Sequence, residues 1–174
     1  MPPCWPPSGS HKACSYEGTM KILIIDDDPA IRRMLRAWII ALAGQETIVH
    51  EAGSLQEAEA IIGESDGVLC DGAFPTSWDA AGDGALGGPQ QNWPHVAGLA
   101  DKRGVPFVLL TGDSLIVAQA RACHRLVFEK PAKVRAAVQA LIAAVTAGHE
   151  PRQKPGDNPA VEEMVLKKRP PGSA

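Results

Sequence analysis

The side chains with the most chemistry to offer are three consecutive aspartates, Asp26, Asp27 and Asp28, which follow the strand-like run Lys21 to Ile25. Asp71 follows the apolar run Gly67 to Cys70, Thr111 follows Val105 to Leu110, and Lys130 comes just after Leu126 to Phe128. Carboxylates brought close together repel, which raises at least one of their pKa values unless a cation sits among them. Mg²⁺ suits such a group, because it takes oxygen ligands in octahedral geometry and combines one or two carboxylates with waters and phosphate oxygens. An ammonium such as Lys130 can pair with Asp71 at rest and with a phosphoryl oxygen afterwards, while the Thr111 hydroxyl donates to another oxygen. The set is suited to holding a hard divalent cation and a phosphoryl group together.

These residues are far apart in the chain, so the fold must gather them. Apolar runs and helical patterns alternate from Lys21 onward. After the first run, Pro29 suits a first helical turn, and Ile31, Met34, Leu35, Trp38, Ile39 and Leu42 recur with helical spacing until Gly44. Residues 47 to 50 predict a second strand, and Ser54 with Glu57 forms a capping-box spacing ahead of Ala58, Ile61 and Ile62. Gly67 to Cys70, Val105 to Leu110 and Leu126 to Phe128 predict strands three to five, and a helix is expected to open at Pro131. Five strands alternating with helices predict an α/β domain whose parallel sheet is covered on both faces. In such sheets functional groups gather beyond the carboxyl ends of the strands, where the four polar positions are expected to lie.

The segments IIDDDPAIR, CDGAFP, LLTGD and FEKP, in this order, resemble those of the response-regulator receiver domains of two-component signal transduction, over residues 20 to 147. The resemblance implies a flavodoxin-like three-layer sandwich, as in the chemotaxis regulators, with a five-stranded parallel sheet in the order 2-1-3-4-5. It further implies Mg²⁺ held by Asp26, Asp27 and Asp71, phosphorylation of Asp71, a phosphoryl contact and switch role for Thr111, a charge contact from Lys130, and a cis Lys130-Pro131 bond. The implied partners are a sensor histidine kinase or a histidine phosphotransfer protein, together with an unidentified downstream protein. The implied activity is confined to the chain's own phosphorylation and dephosphorylation.

The chain departs from the family pattern in three places, one being the segment from Thr111 to Lys130, which is a few residues shorter than usual. The segment between Asp71 and Pro106 is longer than usual, with the added stretch TSWDAAGDGALGGPQQNW. We read it as a surface insertion, mobile over residues 84 to 88, that leaves Asp71 reachable by a small phosphodonor, because lengthening a loop costs only slowly growing entropy. The alternative is that Trp78 or Trp93 folds back over the site, with Asp79 and Asp83 also nearby. The family's aromatic switch position holds Val127, and the adjacent Phe128 should face the other side of its strand. Core positions are expected at Trp38 and, in the helix after Ser114, at Leu115, Ala118 and Ala122.

Two other functions fit parts of the pattern. A haloacid-dehalogenase-like phosphatase also uses a D-x-D after an apolar strand, as in Asp26 and Asp28, but it needs an acidic motif after the lysine, and residues 131 to 148 contain no Asp or Glu. A pseudo-receiver would keep the fold as a protein-binding module without being phosphorylated.

The bulk composition narrows the field further. A chain of 174 residues with 45% hydrophobic residues and a formal charge of −3 reads as a globular protein without the basic surface that nucleic acid or anionic lipid rewards. With no signal-like or membrane-spanning stretch, the expected location is the cytoplasm. Cys4, Cys14, Cys70 and Cys123 lack the spacing of a disulfide framework, and Cys4, His11 and Cys14 fall short of a zinc site. Residues 1 to 19 and 148 to 174 are rich in proline and poor in apolar pattern, and are expected to be disordered extensions with no output module, with Met20 a candidate translation start.

Overall fold

The computed structural model describes residues 19–78, 85–86 and 88–149. Cys4, His11, Cys14, Asp79, Asp83 and both expected extensions, save for residues 19, 148 and 149, lie outside this set. β1 (Lys21–Ile25) leads into α1 (Pro29–Ala43), β2 (Ile48–Ala52), α2 (Leu55–Ile61), a 3-10 turn at Ile62–Glu64 and β3 (Gly67–Cys70). The short strands β4 (Ser77–Trp78) and β5 (Ala85–Leu86) follow, then α3 (Trp93–Arg103), β6 (Phe107–Thr111), α4 (Ser114–Ala122), β7 (Val127–Glu129) and α5 (Val134–His149). β1, β2, β3, β6 and β7 form one parallel sheet in the order β2-β1-β3-β6-β7. Counted within that sheet alone, this is the expected 2-1-3-4-5 flavodoxin-like sandwich.

Strand residues alternate between two cores, as a two-residue period requires. Leu23 and Ile25 face the layer of α2, α3 and α4, with Cys70, Leu109 and Phe74. Ile22 and Ile24 face α1 and α5, with Leu35, Ile39, Val138 and Leu141. Val127 packs with the first group and Phe128 with the second, the opposite facing expected of the pair. The strands read as continuous apolar runs because both of their faces are covered.

Local chemistry sets the element ends. Asp28 accepts a hydrogen bond from the Ala30 amide at 2.7 Å and caps α1, and Gly44 ends it with a backbone φ of 107° that suits glycine. The capping box forms at α2: Ser54 Oγ accepts from the Glu57 amide, and Glu57 Oε2 accepts from the amide of Gly53, one position before the cap.

Several expectations need correction. β2 runs two residues further than expected, because Val49 and Ala52 pair with β1 and supply its buried positions. α5 opens at Val134, after a turn over residues 130–133 that contains the cis Lys130-Pro131 bond. In α4 the buried residues are Ile116, Val117 and Ala120, whereas Leu115 is 69% exposed; the Asp113 cap sets a helical phase that turns Leu115, Ala118 and Ala122 outward. Trp38 is not a core residue. It lies at the surface on α1, with the Arg135 guanidinium 5.8 Å from its ring centroid.

Residues 79–84 and 87 of the added stretch, and with them part of the segment expected to be mobile, lie outside the described residues. β4 and β5 pair antiparallel, and Phe74 bridges Gln90 at their base. Trp93, the first residue of α3, is buried in the core. No helix among the described residues is long and apolar enough to cross a membrane.

Gly67 marks a close approach of sheet and helix, since a Cβ there would lie 2.6 Å from Val145 Cγ2 and 3.1 Å from both Ile22 and Leu141. Gly67→Ala is therefore expected to destabilise the protein by about 1–3 kcal/mol through overpacking, read as a lower urea midpoint.

Candidate functional site

The sheet brings Asp26, Asp27, Asp71, Thr111 and Lys130 to its carboxyl edge, where β1, β3, β6 and β7 end side by side. Ladder bonds continue just past the strands and hold these residues in register: the Asp71 amide donates to Ile25 O at 2.7 Å, and the Lys130 amide donates to Thr111 O at 2.9 Å. Oxygens of Asp26, Asp27 and Asp71 all lie within 4.8 Å of one another. An octahedral Mg²⁺ with bonds of about 2.1 Å sets its ligand oxygens about 3–4 Å apart, so small side-chain shifts suffice for this all-oxygen cluster to hold such an ion. Asp28, the third acidic residue of the run, is exposed and serves as the α1 cap.

Lys130 neutralises part of this charge. Its Nζ lies 2.5 Å from Asp26 Oδ2 and 3.2 Å from Asp71 Oδ1, so the resting pair expected with Asp71 is shared with Asp26 and closer there. Burial works to lower the Lys130 pKa, but Asp71 and Asp26 outweigh it, and the ammonium is held protonated above its ordinary value. Asp71 is itself only partly exposed. Burial pushes its carboxyl up to about 6; the Lys130 charge opposes the rise, Asp26 adds to it, and a 2.7 Å hydrogen bond from the Gly72 amide opposes it further. Behind it Cys70 is fully buried, and burial together with Asp71 and Asp26 pushes its thiol well above the ordinary value, so it is an inert core group.

Thr111 is buried, and its Oγ1 accepts from the Asp113 amide at 3.2 Å, which leaves the hydroxyl proton free to donate. A Cβ on Gly72 would stand 2.7 Å from Thr111 Oγ1 and 2.8 Å from Ile116 Cδ1. Only a glycine after Asp71 lets β3 pass this close to Thr111. Gly72 escaped notice in the sequence, where an Asp-Gly pair reads as an ordinary turn.

Arg32 also escaped notice. From the first turn of α1 its Nη1 donates to the carbonyls of Asp26 at 2.6 Å and Asp27 at 3.3 Å, fixing the backbone that carries two of the three carboxylates. Its Nε is buried without a hydrogen bond, although Glu51 Oε2 stands 3.4 Å away and balances the charge. Trp78 reaches the same place from β4. A Cβ on Gly53 would lie 3.0 Å from Arg32 Nη1 and 3.2 Å from the Trp78 indole, so both side chains crowd over this glycine. Asp27, Pro29, Arg32, Glu57 and Trp78 together line a cavity of about 440 Å³. Of the two tryptophans of the added stretch, Trp78 lies on the Asp27 side of the cluster and Trp93 is buried in the core.

Comparison with solved structures agrees with this architecture. The chain is similar to a CheY-like response regulator receiver domain protein from Methanospirillum hungatei, at 20% identity and a TM-score of 0.54 over 75% of this chain and 96% of that one. It is similar to the signal receiver domain of an HD domain-containing protein from Pseudomonas fluorescens, at 21% identity and a TM-score of 0.56 over 76% and 98%. SdrG from Sphingomonas melonis matches at 26% identity and a TM-score of 0.50 over 74% and 97%. No protein-family model matches the chain, and no characterised protein matches it by sequence. The fold is that of the response-regulator receivers.

A raised Asp71 pKa means that the folded, metal-free protein binds a proton more tightly than the unfolded chain does. The stability this adds is complete below the ordinary carboxylate range near 3.8 and is lost as pH rises through about 6. Asp71→Asn is therefore expected to stabilise the metal-free protein at pH 7 by about 1–3 kcal/mol and to flatten its stability profile between pH 4 and 7, as followed by denaturant unfolding.

Proposed function

We propose that this chain is a receiver that takes a phosphoryl group on Asp71 from a histidine kinase or a histidine phosphotransfer protein, and signals through protein-protein contacts. The observation that carries the reading is the convergence of Asp26, Asp27 and Asp71 within 4.8 Å, with Lys130 Nζ on two of them and Thr111 at the neighbouring strand end. An oxygen of Asp71 forms a bond to phosphorus as the donor's P–N bond breaks, and the electron pair leaves with the imidazole. Asp26, Asp27 and Asp71 would hold Mg²⁺, which supplies charge compensation at the phosphoryl oxygens. Lys130 binds one phosphoryl oxygen and the Thr111 hydroxyl donates to another. Residues 20 to 147 form the functional unit, and the cytoplasm, where such donors are found, is its location.

The pseudo-receiver reading draws on the long segment after Asp71 and on Val127, which stands in place of an aromatic switch residue and is partly buried against the core. Val127 bears on how phosphorylation is read out, not on whether Asp71 can accept the group. The phosphatase alternative is weakened by Asp28, whose carboxylate is committed to capping α1.

Incubation with acetyl phosphate and Mg²⁺, followed by separation on a phosphate-affinity gel, is expected to give a shifted band that is lost without Mg²⁺ and absent in Asp71→Asn. A shifted band in that variant would refute the assignment of the acceptor. Millimolar Mg²⁺ should also raise the melting temperature of the parent but not of Asp27→Asn, because a cation that binds only the folded cluster stabilises by mass action.

A further inference from the structure

The added segment after Asp71 is fastened at several points before it reaches Trp78. Phe74 is fully buried, exchanges both backbone hydrogen bonds with Gln90, and accepts a third at its carbonyl from Asn92 Nδ2 at 2.8 Å. The carbonyls of Pro75 and Thr76 then accept from the amides of Leu55 and Gln56, each at 3.0 Å. These are the first two N–H groups of α2, which no partner within the helix can satisfy. Trp78, two residues on, is paired in β4 and seated on Gly53 against Arg32. Its ring rests on fixed backbone, unlike a side chain at the tip of a free loop.

We propose that Trp78 is a fixed side wall of the phosphoryl site that limits the access of water to phosphorylated Asp71, and so sets how long the acyl phosphate survives. The inference rests on the reading of Asp71 as the acceptor. The cavity that Trp78 lines also contains Asp27, whose carboxylate belongs to the cluster with Asp71. The other polar groups that line it are restrained: Arg32 is bound to two carbonyls, and Glu57 to the Gly53 amide at 2.6 Å. The indole is the large apolar body among them, on the side of the acidic cluster where Asp27 stands.

Loss of the phosphoryl group requires a water oxygen to bond to phosphorus as the P–O bond to Asp71 breaks. The electron pair returns to the carboxylate and the water proton passes to solvent, so the rate depends on how often water reaches the site. Truncating Trp78 opens that side, whereas phenylalanine keeps most of the barrier.

The test uses the full chain, phosphorylated with acetyl phosphate and Mg²⁺ and then freed of donor, with decay of the phosphoprotein followed on a phosphate-affinity gel. Trp78→Ala is expected to shorten the half-life at least fivefold, and Trp78→Phe to keep it within twofold of the parent. Circular dichroism melts on the same samples separate a lost wall from a loosened fold, since the wall predicts faster decay in an Ala variant whose melting temperature matches that of the Phe variant. A half-life in Trp78→Ala within twofold of the parent, with normal labelling, overturns the wall and leaves the acceptor reading intact. Failure of the parent to be labelled at all overturns the acceptor reading, and the wall with it.

Discussion

The arrangement turns on a concentration of negative charge that the protein would not hold without compensation. Asp26, Asp27 and Asp71 present oxygens within 4.8 Å of one another at a partly buried sheet edge, where each carboxylate raises the cost of ionising the next. Lys130 supplies a permanent counter-charge against two of them, and Arg32 holds the backbone carbonyls of Asp26 and Asp27. The remaining negative charge is what makes the pocket receptive to a divalent cation. The rest of the architecture serves this edge: the parallel sheet aligns the strand ends, and the two cores lock the sheet from either side.

Much of this was legible in the sequence because the features involved are local. β3 was read at its true limits, since four apolar residues buried on both faces stand between polar neighbours. The positions of Asp71, Thr111 and Lys130 followed from the places where apolar runs end. The phase of α4 was misread because alanine occurs on both its faces and apolar residues run unbroken from Leu115 to Ala118, so that only the packing of Ile116 against Gly72 and its neighbours distinguishes them. Trp38 misled in a similar way. An aromatic residue on the apolar stripe of a helix can lie at the edge of the covered face, with a cation from the next helix over its ring.

The parts of the site that escaped the sequence are those that depend on close approach. Gly53 and Gly72 matter for the atoms that a side chain would displace, which lie far away in the chain. Arg32 looks like any charged residue on an exposed helical turn, and its role comes from two backbone carbonyls behind it. The insertion was judged from its glycines, although its structured base is set by Phe74 and by the first amides of α2, which donate to the Pro75 and Thr76 carbonyls. That base turns an added segment into part of the pocket.

The bond from Lys130 to Asp26 joins residues 104 positions apart. β7 supplies the last strand and the last member of the cluster, so the acidic pocket acquires its counter-charge only when the final edge of the sheet has been laid down. Contacts of such long separation carry a loop-closure cost that the packed sheet must offset. The charge balance at Asp71 is thereby tied to completion of the chain's topology: a half-made domain ending before β7 would carry the three carboxylates without the ammonium that compensates two of them.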